Sequence, residues 1–132
     1  TDMAYQLSQP VKITLEAAAD LSAKQFHFVK LDANGKAAIC AAATDVPIGV
    51  LQNKPTSGQA ATIVVVGVSK VSSDAALNEG DLIGTSSDAQ ADAKTPGSDT
   101  TNYVVGQMIT ATGGAGVIGT AAINAANPHR AA

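Results

Sequence analysis

Two stretches of this chain follow one pattern. DVPIGVLQNKPTSGQAATIVVVG occupies 45–67, and NYVVGQMITATGGAGVIGTAAIN occupies 102–124. In each, apolar residues lead into a Gly, small or polar residues and a further Gly follow, and a second apolar run closes the unit. Gly49 and Gly106 stand 57 positions apart, as do Ile48 and Val105, and Leu51 and Met108. Upstream the spacing becomes 56, pairing Leu21 with Leu77, Phe26 with Leu82 and Asp32 with Asp88. A one-residue slip between blocks fits a loop insertion. Such a doubled unit predicts an all-β fold, a small β-barrel or sandwich in which two related β-units pack around one core with pseudo-twofold character.

Local signals agree with that class. The run at 12–15 reads as a strand leading into a turn rather than a helix, because no cap precedes LEAAA and the segment is short. QFHFVKL at 25–31 alternates, with Phe26 and Phe28 on one face and His27, Val29 and Leu31 on the other. DANG at 32–35 is a turn in which Asn-Gly supplies positive φ, so 25–41 reads as a hairpin. A short strand over 46–54, a turn at PTSGQ and a long β-branched strand through Val64, Val65 and Val66 follow. Leu82–Thr85 is a further strand, and 86–101, rich in Ser, Asp, Ala and Thr with Pro96-Gly97, reads as an exposed loop or hairpin tip.

The material for a core is modest in side-chain size. Aromatic residues are Tyr5, Phe26, Phe28 and Tyr103, with no Trp. Val, Ile, Leu and Ala must fill the interior, and small side chains each bury little area. Stability is expected to lean on association with a partner or with other copies. At 132 residues the chain is long enough for one core, divided here into an extended N-terminal arm (1–14), a β-rich body (15–126) and a short tail (127–132).

Charge and reactive groups narrow the function class. Net charge is −3, and the eight basic residues are scattered singly, without the clustered cations that displace counterions from phosphates. Nucleic acid is therefore not an expected partner. The longest apolar runs, IVVVGV and AAICAAA, are too short to cross a bilayer, and TDMAYQLSQPVK lacks the blocks of a secretory signal, so synthesis in the cytoplasm and no membrane association are expected. Cys40 is the single cysteine, in an apolar run that favours a buried thiol acting as a small hydrophobe.

No catalytic or metal set stands out. His27 lies between two Phe, where packing is expected, and His129 has no base or orienting acid near it in sequence. The 32–35 turn begins like a calcium loop, but Ala43 stands where the bidentate Glu would be needed. Asp88 and Asp92 read as solvated loop carboxylates. Gly113-Gly114-Ala115-Gly116 joins two strands, unlike a phosphate loop, which joins a strand to a helix. The expectation is a binding or structural protein, not an enzyme, with no cofactor.

The blocks YQLSQPVK, TLEAAADLSAKQFHFVKLDANGKA, ATDVPIGVLQNKPTSGQAATIVVVG, LNEGDLIGT and GSDTTNYVVGQMI, with the final ANPHRAA, resemble the capsid cement, or head decoration, proteins of tailed bacteriophages. The resemblance is carried most strongly by PIGVLQ at 47–52, LNEGDL at 77–82 and YVVG at 103–106, which are structural blocks without catalytic meaning. It implies a β-rich virion protein on the outer surface of the expanded head. There it would bridge neighbouring subunits of the major capsid protein against internal DNA pressure, as a homo-oligomer with a trimer favoured over a dimer. The arm residues Tyr5, Gln6, Leu7, Ser8, Gln9, Pro10, Val11 and Lys12 are the expected capsid contacts, with Asp32, Asn34 and Lys36 as secondary ones. A virion-displayed module binding host surface or glycan is the alternative, although no aromatic platform for sugars is present.

Overall fold

In the computed structural model, residues 10–132 are described. Regular structure among them is all strand: β1 (Val11–Glu16), β2 (Phe28–Leu31), β3 (Ala37–Ile39), β4 (Gly49–Leu51), β5 (Ala60–Ser72), β6 (Leu82–Thr85), β7 (Ala91–Ala93), β8 (Tyr103–Val104), β9 (Gly106–Met108), β10 (Ile118–Asn124) and β11 (His129–Arg130). The main sheet runs β3-β2-β4-β5-β10-β9-β6-β7, with β1 on the flank of β5, and β8 with β11 forms a small second sheet. The all-β expectation holds.

That strand order reads the same from both ends once β2, β3, β4 and β5 are matched to β6, β7, β9 and β10. The registers match as well. Val29 faces Ile39 and Gly49, while Ile83 faces Ala93 and Gly106. Glu16 faces Ala60 on β5, and Ser72 faces Ile118 on β10. The long β5 therefore serves both units: its first half closes the first unit, and its second half opens the second in the role that β1 plays upstream. β-branched Ile63, Val64, Val65 and Val66 favour this extended run. At its middle, Gly67 has φ +132, and a Cβ there would lie 2.8 Å from the Cα of Pro10. Only glycine allows both the conformation and the approach.

Each unit curls on itself. A parallel bridge between Ala17 and Ala37 returns β3 to the end of β1, and one between Ser73 and Ala91 returns β7 to the end of β5. Each unit is thus a small five-stranded barrel with its own interior. Ala17, Leu21, Val29, Ala37, Leu51, Ala61 and Ile63 fill the first. Their counterparts Leu77, Ile83, Ala91, Met108 and Ala121 fill the second, and this core continues into a layer between the units formed by Phe28, Cys40, Val50 and Val65. The two units therefore share one core through that layer, as expected from sequence, and the first unit adds a second cluster of its own.

The opening motif has a packing cause. A Cβ on Gly49 would lie 2.6 Å from Ile63 Cγ2 and would run into the Val64 carbonyl, and one on Gly106 would lie 2.7 Å from the carbonyl oxygen of Ala122, the matching residue. Both glycines let β4 or β9 close onto the long strand beside it.

Several local expectations change. The strand expected at 25–31 begins only at Phe28, because Phe26 turns the chain at φ 67. The strand expected over 46–54 shortens to Gly49–Leu51. In the hairpin turn only Gly35 has positive φ (75), while the Asp32 carboxylate accepts from the N–H groups of Asn34 at 2.8 Å and Lys36 at 2.9 Å. The 86–101 segment is a hairpin tip at its start, as expected, but it is not exposed throughout: Ala89 and Ala91 are fully buried, and Ala91 opens β7. The pairing of Leu21 with Leu77 stands, since their N–H groups donate to Pro55 and Thr112, which are 57 apart. Phe26 and Asp32, by contrast, match Gly80 and Ser86 rather than Leu82 and Asp88. The first unit holds two extra residues in the loop before β2.

Candidate functional site

The turn at 32–36 and the turn at 86–90 are built identically. In the first, the Asp32 N–H donates to Lys36 O and the Gly35 N–H to Asp32 O; in the second, Ser86 donates to Gln90 and Ala89 to Ser86. The side-chain oxygen at the first position, a carboxylate in one and a hydroxyl in the other, accepts two backbone N–H groups in both. Their surroundings differ. The 86–90 turn is pressed into the first unit, where the Phe28 N–H donates to Ala89 O at 2.7 Å. The 32–36 turn projects from the molecule, with Ala33, Asn34 and Gly35 exposed.

Of the residues expected at a binding surface, Tyr5, Gln6, Leu7, Ser8 and Gln9 lie outside the described residues. Pro10 is half-buried against Gly67, while Val11 (54% exposed) and Lys12 sit at the start of β1, so the arm boundary at 14 falls within a paired strand. Asp32 and Lys36 are half-buried and Asn34 is exposed. The structure brings this turn to the far end of β1, where the Lys36 ammonium meets the Glu16 carboxylate at 3.1 Å. β1 and the 32–36 turn thus form one continuous surface on the first unit.

On the second unit, a shallow depression of about 280 Å³ is lined by Leu82, Val105, Gln107, Ile123 and His129 among others. Ile109, 47% exposed, follows β9 nearby in sequence. This is the face of β6, β9 and β10 that corresponds to Phe28, Val50 and Val65 on the first unit. There the face is covered by the second unit; here, among the described residues, Ile123 is buried, Leu82 is half-exposed, and exposed polar Gln107 stands where Val50 is buried.

The remaining polar groups hold loops in place. Lys30 meets Asp45 at 2.9 Å, and the N–H groups of Ala41 and Ala42 donate to the same carboxylate. Burial opposes ionisation of Asp45, but these hydrogen bonds outweigh it and hold its pKa below the ordinary value. In the second unit the ammonium comes from the residue that follows β7. Lys94, whose side chain is almost fully buried, donates to Asn102 Oδ1 at 2.8 Å and meets Asp92 at 3.3 Å. Asn102 is the counterpart of Asp45. Asp92 is therefore not simply a solvated loop carboxylate, and nothing in the sequence around Lys94 marked that lysine as buried.

Among the described residues, reactive groups do not converge. Cys40 is buried, and burial pushes its thiol up to about 12, outweighing a hydrogen bond with Thr85. His27 Nδ1 lies 3.1 Å from Gln25 O. Among the described residues, no group of three or more His, Cys, Asp or Glu side chains could hold a metal ion.

No protein-family model matches the chain, and no curated protein matches it. Among solved structures it is similar to the head fiber gp8.5 N base of bacteriophage phi29, with a TM-score of 0.62 and 18% identity, over 89% of this chain and 96% of that one. At that identity the likeness is one of fold.

Proposed function

We propose that this chain is a structural component of a tailed-phage head, a decoration protein that binds the outer surface of the expanded shell. It bridges neighbouring major capsid subunits and so helps the shell resist the pressure of packaged DNA. The observation that carries this reading is the fold shared, over nearly the whole length of both chains, with the phi29 head-fiber base. The sequence blocks that resemble decoration proteins support it, as does a molecule whose features are surfaces.

In this reading the protein acts as a homo-oligomer, a trimer in preference to a dimer, so that several modest contacts add through multivalency and dissociation is slow. The arm residues from Tyr5 to Lys12 make the primary capsid contact, by adding an extended segment to an exposed sheet edge of the shell. Asp32, Asn34 and Lys36 contribute a second one.

Mixing the purified protein with expanded, undecorated heads tests the function. Saturable decoration at symmetry-related positions, seen by cryo-electron microscopy, is the expected result, and an unaltered shell at saturating protein overturns it. Deleting residues 2–9 is expected to reduce occupancy at least tenfold. Unchanged occupancy would remove the arm from the mechanism.

A further inference from the structure

The contact between the two units of one chain is one-directional. The Phe28 N–H on the first unit donates to Ala89 O in the turn of the second. Gln52 Nε2 on the first donates to Ser69 Oγ on the second at 2.9 Å. A pseudo-twofold axis would add the reciprocal contacts, Leu82 with Gly35 and Ile109 with Ile13. Among the described residues neither is made: Gly35 is exposed, Ile109 is 47% exposed, and a Cβ on Gly35 would meet nothing within 4 Å. The pseudo-twofold expectation is therefore replaced by a head-to-tail relation.

A head-to-tail contact leaves one complementary surface unused at each end. On the first unit this is the projecting 32–36 turn with Leu31, which is 50% exposed. On the second it is the open depression at Leu82 and Gln107, with Ile109 beside it in sequence. We infer that these two surfaces bind each other between copies of this chain, the 32–36 turn of one copy seating on the Leu82 face of the next as the 86–90 turn seats on the Phe28 face within a copy.

Two of the substitutions between the units fit this occupant. Inside the chain the pair Gln52 and Ser69 is polar; the matching pair between copies is Ile109, 47% exposed, and Ile13, half-buried against the cores of its own chain, both apolar. Thr85, buried within the chain, corresponds to exposed Leu31. The turn backbone has the same hydrogen-bonded geometry in both places, so the Gly35 carbonyl is shaped to accept from the Leu82 N–H as Ala89 accepts from Phe28. A repeated one-directional contact closes into a ring when its rotation permits, and otherwise runs on as a filament.

This inference deepens the homo-oligomer part of the proposed function and is tested without capsids. Sedimentation equilibrium of the full chain is expected to give an oligomer. Ile109→Glu blocks the receiving face, and Leu31→Glu blocks the turn side; both positions are about half exposed, so each variant should keep the wild-type far-ultraviolet circular dichroism. Each alone is expected to weaken association at least tenfold. An equimolar mixture of the two is expected to form a one-to-one dimer, because one unblocked turn and one unblocked face remain.

A monomeric wild type, variants that associate as the wild type does, or a mixture no more associated than its parts would each overturn the inference. Should either variant lose the circular dichroism signal, Gln107→Arg and Asn34→Asp, at exposed positions, repeat the two arms. An oligomer that fails to decorate heads would count against decoration and not against this inference, and a monomer that decorates them against this inference and the homo-oligomer part of the reading but not against decoration.

Discussion

Ala89 holds, at φ 63, the place in the second unit that Gly35 holds at φ 75 in the first. An alanine in the left-handed region costs about 1 kcal/mol, yet it stands at the position whose methyl is fully enclosed between the units. The exposed turn keeps glycine, where a methyl would touch nothing. Packing against a neighbour, not turn geometry, separates the two residues.

Substitutions at this pair follow from that. Ala89→Gly relieves the strain but loses a buried methyl worth about 0.8 kcal/mol, so stability is expected to change by less than about 1 kcal/mol. Gly35→Ala is expected to cost about 1 kcal/mol from the backbone alone. Ala89→Leu must force a larger side chain into a filled layer and is expected to cost about 3 kcal/mol. Urea unfolding at low protein concentration ranks the three, and a Gly35→Ala cost above that of Ala89→Leu would contradict the packing account.

The two barrel interiors trade volume between matched positions. Leu51 and Ala61 in the first correspond to Met108 and Gly119 in the second, and a Cβ on Gly119 would lie 2.8 Å from Met108 Cε and 2.6 Å from Thr112 Cγ2. Gly119→Ala is expected to destabilise by about 1–3 kcal/mol through overpacking. Adding Met108→Leu removes the Met108 part of the clash, so the double variant should be more stable than the sum of the single effects by about 0.5–1 kcal/mol. Additive single effects in a double-mutant cycle would show that the two positions do not share volume.

Cys40 links stability to alkaline pH. Its thiol is raised from 9.0 to about 12 by burial, so the folded state keeps a proton that the unfolded chain gives up. The contribution is complete below pH 9 and is lost as pH rises from there toward 12, at about 1.4 kcal/mol per pH unit. Urea midpoints measured between pH 8 and 10.5 should fall in the wild type and fall less in Cys40→Ala. In the native protein at pH 8, a thiol reagent should label Cys40 far more slowly than in denaturant.

Asp45 acts at the acid end. Its lowered pKa contributes stability that is present above the unfolded value near 3.9 and is lost as pH falls through the lower folded value. Asp45→Asn removes the carboxylate that accepts from Lys30, Ala41 and Ala42, and charge-assisted bonds of this kind are each worth about 1.5–3 kcal/mol. With the group partly exposed, a loss of about 1–2 kcal/mol at pH 7 is expected, shrinking as pH falls below 4. Equal losses at pH 7 and pH 3 would place the effect elsewhere.

The amino-acid pattern alone determined the strand-rich class and the doubled unit. Those depend on residue type and near spacing: Val and Ile runs favour strands, and Gly49 and Gly106 recur because each sits against a neighbouring carbonyl. Only the tertiary structure decided how the units relate. Two extra residues in the loop before β2 hide the true match of Phe28 with Leu82 and Gly35 with Ala89. The barrels close through single bridges, Ala17 with Ala37 and Ser73 with Ala91, between residues that carry no sequence signal. Whether Phe28 or Leu82 is covered depends on which unit stands next to it, and that follows from the path of β5 past Gly67, not from either residue's own character.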